Sequence, residues 1–255
     1  MENRKIQGGV ILIGSLLWET KELNPFGEAE KKLAEKRSEW RAKCLDKKSK
    51  TLNTLPIRYG RCSNSRGCTY TMVFSRSCLN INNGTAAIIP FKENIIFDDY
   101  ENFKEMAFEL ASVEGISTSN IKLRKSWGSI ALYINPKGNY IEKIKIMWEN
   151  LKKIDQDYLA KKCQNFKIND NHENSTLLND DYTLSSDVNI ETELDFLFLT
   201  YIKPTHRDST INEYPSPTDI ATEIKRSGYD IYFTQNLANG ISTFQDKEIL
   251  RLLES

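Results

Sequence analysis

The chain has little of what metal centres and disulfide frameworks are built from. Histidine occurs only twice, at His172 and His206, and no Cys-x-x-Cys pair is present. The five cysteines, Cys44, Cys62, Cys68, Cys78 and Cys163, are odd in number and irregularly spaced. That pattern indicates neither a zinc site nor a disulfide framework. A cysteine nucleophile served by a distant histidine stays open beside buried, inert thiols. An excess of charge is also missing: Lys+Arg and Asp+Glu both number 35, so no global field draws the chain to nucleic acid or to an anionic membrane. Neither is expected as a partner. Long hydrophobic runs are lacking too. The start, Met1-Glu2-Asn3-Arg4-Lys5, leads into an apolar run far short of the roughly 20 residues a membrane span needs, and no signal-peptide core is visible. A cytoplasmic location is the expectation.

What is there suffices for folding: 255 residues, 39% of them hydrophobic, can bury one sizeable core, or one core with a small appended unit. Residues 27–45 are charged and helix-prone, with Leu33, Trp40 and Leu45 as sparse apolar contacts, and most of the charges read as a solvated face. Residues 55–61 and 68–74 are β-rich and flank the turn-like Ser63-Asn64-Ser65-Arg66-Gly67, which predicts a hairpin. Further strands are expected at 85–91 and 127–134. Helical spacing of Phe103, Met106, Ala107, Leu110 and Val113 predicts a helix over 100–113, and a longer amphipathic helix over 140–166. Residues 167–189 are polar and read as a linker. Beyond them come an apolar strand at 194–202, a helix capped by Ser216 with Pro217 in its first turn and ending at Gly228, a strand at 229–233, and a terminal helix over 243–253. The irregular alternation suits an α+β fold, mixed-sheet or small and barrel-like, better than a doubly wound parallel sheet. Three parts follow: a core over 1–166, a linker over 167–189, and an accessory α/β unit over 190–255. That unit, or the helix over 140–166, is where a protein partner would bind.

Two short stretches carry chemistry. Gly14-Ser15-Leu16-Leu17-Trp18 follows the apolar run Gly9-Val10-Ile11-Leu12-Ile13, so a buried strand ends there in a tight turn. Glycine lets a ligand approach the main chain, and such a turn can aim several backbone NH groups at an oxyanion or a carboxylate. A plain strand-ending turn has the same sequence. Farther on, Glu114 sits in the last turn of the 100–113 helix, ahead of Gly115 as its left-handed C′ residue. The helix dipole and partial burial would raise its carboxyl pKa, which suits a general base near neutral pH. The alternative is a solvated surface glutamate. Arg58, Arg61, Arg66 and Arg76 cluster on and around the hairpin and could hold a carboxylate or phosphate. Arg58 and Arg61 would face opposite sides of an unbroken strand, although Gly60 could bulge it.

Together the two stretches resemble the γ-glutamylcyclotransferase-like superfamily, particularly its ChaC-like branch. There a strand runs into a Tyr-Gly-Ser-Leu-hydrophobic-Trp loop, matched here by Gly14, Ser15, Leu16, Leu17 and Trp18. A Glu-Gly pair well downstream holds the catalytic glutamate, as Glu114-Gly115 would. The resemblance covers residues 8–135. It implies an enzyme that cyclises a γ-glutamyl amine or peptide to 5-oxoproline and releases an amine, with no metal or cofactor. Glu114 would be the catalytic base, Gly14, Ser15, Leu16 and Leu17 the substrate-binding loop, and Arg58 or Arg61 the group that orients a carboxylate. The rival readings are a non-catalytic binder of the same fold that sequesters an anionic small molecule or nucleotide, and a protein-interaction subunit.

Overall fold

The apolar run near the N-terminus forms the middle of a sheet. The computed structural model describes residues 4–117, 122–154, 176–208, 210–211 and 213–255. Strand β1 (Gly8–Leu12) is buried along its whole length, as a strand covered on both faces must be. It belongs to a six-stranded sheet ordered β2 (Thr51–Leu55), β5 (Gly84–Pro90), β1, β8 (Phe196–Ile202), β7 (Gly128–Ile134) and β6 (Arg124–Lys125). The sheet is mixed. β1 runs antiparallel to β5 and parallel to β8, and the remaining pairings are antiparallel. The hairpin of β3 (Ile57–Ser63) and β4 (Thr69–Phe74) forms a separate two-stranded sheet.

Alternation along β8 assigns the two faces. Phe196 and Phe198 meet Phe103 of α2 (Tyr100–Val113), and Trp148 of α3 (Ile141–Lys152) packs on Phe198. Tyr201, of opposite parity, stacks on Phe74 of β4 at 6.0 Å. Helices therefore cover one face and the hairpin the other. Helix α1 (Glu28–Cys44) packs on α2. On the hairpin side α4 (Pro217–Ser227) packs on β4 and on α6 (Asp246–Glu254), and α5 (Ile231–Ala238) packs on the turn after β1. One continuous cluster of buried apolar side chains runs from Ile6 to Ile249. Each fully buried large side chain in it contributes about 1.5–3 kcal/mol.

The fold class is α+β with a mixed sheet, as expected from the sequence. The expected accessory unit over 190–255 needs correction: β8 lies between β1 and β7, inside the sheet, and α4 to α6 share the same core. The expected linker over 167–189 is corrected for its described part, 176–189. There Leu177, Tyr182 and Leu184 are buried, and Leu184 N donates to Leu132 O of β7 at 2.7 Å. Of the helix expected over 140–166, the described part is α3; residues 155–166 lie outside the described residues. The strand expected over 229–233 is not formed: Tyr229 and Asp230 connect α4 to α5, and the rest of the span is helical. Ile231 begins α5, which turns Tyr232 and Asn236 together toward the β1 turn. No described helix is long and apolar enough to cross a membrane.

Candidate functional site at the carboxyl ends of the central strands

The parallel pair β1 and β8 ends on one side of the molecule, and the chain leaving β1 turns there. Gly14 opens a single turn of 3-10 helix, Ser15–Leu17, closed by Leu17 N donating to Gly14 O at 3.0 Å. Glu19 N then donates to Ser15 O at 2.8 Å. The amides of Ser15 and Leu16 precede the first of these bonds, as orphan donors at a helix start do. Gly14 is required by close approach: a Cβ there would lie 2.5 Å from the Tyr232 hydroxyl oxygen. That hydroxyl accepts from Met72 N of β4 at 3.1 Å, so the turn, the hairpin and α5 meet at one point.

Beneath the turn sits a buried ion cluster. The Glu19 carboxylate, with 1% of its side chain exposed, pairs with Arg37 and takes two 2.9 Å bonds from Arg66 Nη2. Arg66 Nη1 also donates to Ser15 Oγ at 3.0 Å. Arg41, one turn after Arg37 on α1, donates to Leu16 O at 2.8 Å and to Glu19 O at 2.7 Å. Two carbonyls of the turn are thus clamped by Arg41, while Arg37 on the same helix holds the Glu19 carboxylate. Such a cluster holds its shape because removing one partner strands a buried charge, at a cost of about 3–5 kcal/mol.

Glu114 reaches the same place from the other direction. It caps α2, Gly115 follows at φ +76°, Gly115 N donates to Ser112 O at 3.0 Å and Ile116 N to Ala111 O at 2.8 Å. This is the Schellman arrangement, which stops the helix at a fixed residue. The Glu114 side chain is 17% exposed; its Oε2 lies 3.7 Å from Arg37 Nη2, and its Oε1 accepts from Thr200 Oγ1 of β8 at 3.2 Å. Burial lifts its carboxyl pKa above the ordinary value, against the opposing pull of Arg37, the Thr200 hydrogen bond and Arg66. The sequence expectation named the helix dipole first; desolvation is the larger cause.

A cavity of about 550 Å³ opens between these groups. Gly14, Ser15, Leu16, Glu114, Arg61 and Arg66 line it, together with Trp127, Thr200 and Tyr232. Arg61 holds its guanidinium 4.5 Å above the Trp127 ring, and its pKa is lowered first by burial and then by the neighbouring Arg66. Among the described residues it has no carboxylate within ion-pair distance. Of the residues singled out in the sequence, Gly14, Ser15, Leu16, Arg61, Arg66 and Glu114 therefore come together. Leu17 does not line the cavity; its side chain belongs to the core and its amide closes the turn.

Arg58 is the clear correction. Register shifts between Tyr59 and Arg61, so Gly60 does bulge the strand, and Arg58 and Arg61 oppose Val73 and Thr71, two residues apart on one face of β4. Distance along the strand then separates them. Arg58 lies 4.3 Å over the Tyr214 ring and donates to Ser77 Oγ at 3.3 Å, away from the cavity wall. Arg76 pairs with Asp187 at 2.8 Å. Sequence reasoning missed Glu19, Arg37, Arg41 and Thr200. Ala34, Arg37, Arg41 and Cys44 recur at helical spacing and are buried together, which is the signal that the two arginines leave the solvated face. Among the described residues no group of three or more His, Cys, Asp or Glu side chains is gathered as for a metal ion.

Compared with protein-family models, with curated proteins and with solved structures, the chain gives no match.

Proposed function

We propose that the chain is a γ-glutamylcyclotransferase-like enzyme, a lyase or acyltransferase that closes a γ-glutamyl amine or peptide to 5-oxoproline without a cofactor. The observation that supports this reading is the shared cavity of a largely buried carboxylate and a glycine turn whose Ser15 and Leu16 amides have no hydrogen-bond acceptor among the described residues. In the reaction the substrate's α-amine attacks its own γ-carbonyl carbon, forming the ring C–N bond. Glu114 takes the proton from that amine. The amides of Ser15 and Leu16 stabilise the oxyanion; its collapse breaks the original amide C–N bond, and Glu114 returns the proton to the leaving nitrogen. Attacker and target share one molecule, so the turn and Arg61 need only hold the folded-back conformer.

A second reading is favoured by Arg61. A largely desolvated guanidinium on an indole face, with no carboxylate partner among the described residues, also suits a protein that sequesters an anionic small molecule or nucleotide. One variant separates the two. In Glu114→Gln, 5-oxoproline release from a panel of γ-glutamyl amino acids, peptides and amines is expected to fall by about 100-fold or more, the scale of a lost general base. Ligand affinity should hold within a few-fold. Wild-type protein that releases no 5-oxoproline from any panel member, while binding anions through Arg61, overturns the enzyme in favour of the binder.

A further inference from the structure

A pair of thiols stands at the cavity, one on its wall and one just outside it, and the proposed chemistry uses neither. Cys62, near the end of β3, and Cys68, just before β4, flank the rung in which Ser63 opposes Thr69. The backbone brings them together through Cys68 N donating to Ser63 O at 3.0 Å, with Cys68 held at φ +67°. Both thiols reach one acceptor, Asn64 Oδ1, at 3.8 Å from Cys62 Sγ and 3.5 Å from Cys68 Sγ. Cys62 is 6% exposed and lines the cavity, whereas Cys68 is only partly buried.

We propose that Cys62 and Cys68 form a dithiol site that takes up an intramolecular disulfide by exchange with a low-molecular-weight disulfide. The chemistry balances without another reactant. The Cys68 thiolate attacks one sulfur of the small disulfide, breaking its S–S bond, releasing one thiol and leaving a mixed disulfide. Cys62 then attacks Cys68 Sγ, forming the internal S–S bond and releasing the second thiol. Two protein sulfurs are oxidised and the small disulfide is reduced. Accessibility assigns the order, since the partly exposed thiol meets the reagent and the buried one resolves. Burial and the Cys68 thiol push the Cys62 pKa up to about 12. The contribution of Cys68 disappears once that sulfur is in a mixed disulfide. Cys44 and Cys78, both wholly buried and without a neighbouring thiol among the described residues, provide internal controls.

The segment so stapled includes Ser63, Asn64, Ser65 and Arg66, all on the cavity wall. Arg66 is the residue that joins Ser15 to Glu19. The site stands whether the cavity is catalytic or only binds.

Trypsin provides a direct test, because cleavage after Arg61, Arg66 and Arg76 puts Cys62 on peptide 62–66 and Cys68 on peptide 67–76. Folded, reduced protein is incubated with oxidised glutathione, quenched in acid, alkylated and digested without reductant. The expected result is the two peptides joined, lighter by two hydrogens than their sum, and parted by dithiothreitol. The Cys62→Ser variant should instead accumulate glutathione on Cys68. Wild-type protein whose two peptides stay separate, with Cys68 unmodified or carrying glutathione as the end product, overturns the proposal. So does a link that forms only after unfolding in urea.

Discussion

Thr200 donates to one oxygen of Glu114 while Arg37 stands beside the other, so the acidity of that carboxyl is a balance between burial and two identified partners. A hydrogen bond to the ionised form favours ionisation; losing it raises the pKa. Thr200→Val, close in shape, should therefore move the acid limb of the pH–rate profile further above the carboxylate's ordinary 4.5, at a stability cost of about 1 kcal/mol. The sign for folding is the same. A carboxyl whose native pKa is raised binds its proton more tightly when folded, so its contribution to stability declines as pH climbs from the unfolded value through the native one. Thr200→Val widens that window, and paired pH titrations of activity and urea midpoint check both statements; a limb that stays in place refutes the role given to Thr200. Single residues were the least legible part of the sequence. Gly14, Ser15, Leu16, Arg61, Arg66 and Glu114 were picked out, but Arg58 was picked on equal grounds and sits elsewhere. No local pattern states how far along a strand a cavity extends. The ion cluster of Glu19, Arg37 and Arg66 joins three distant segments, and pairing across such gaps leaves no trace in spacing.

Helix ends were far easier to read. Ser216, Pro217 and Asp219 start α4 with a full capping box, and Gly228 ends it in the left-handed region, because these side chains act on backbone groups only a few bonds away. The same holds at Gly115, and there the stop determines where Glu114 points. Gly115→Ala would force φ +76° on a residue with a Cβ and bring that atom 3.4 Å from Leu33. The expected cost is about 1–2 kcal/mol in chemical denaturation. Activity should fall more steeply than stability predicts, since the base shifts with the cap. Loss in proportion to the unfolded fraction alone would show that the cap does not position Glu114. At α5, which has no side-chain cap, reading failed. The apolar and aromatic cluster at 229–233 passes for a strand when taken alone, but in α5 it presents Tyr232 to Gly14 and Asn236 to the Trp18 indole NH at 2.8 Å.

Across the whole molecule, the position of β8 decides what counts as a domain. The apolar residues 194–202 were recognisable as a buried strand, but no sequence feature says that its neighbours are β1 and β7. The polar stretch before it suggested a boundary that the sheet does not respect. Removal of residues 190–255 is accordingly expected to abolish cooperative unfolding and near-ultraviolet circular dichroism, not merely to trim an appendage. A fragment 1–189 that unfolds in one sharp transition would restore the two-part view.

Gly8 is paired with Phe196. Translation therefore completes the first strand long before its parallel neighbour has been made, and one edge of β1 is left bare while the ribosome adds residues 13–195. Non-local pairings of this kind slow folding and expose strand edges to other chains. Nascent protein stalled before Ile202 should engage chaperones through the segment that later becomes the best-protected part of the sheet.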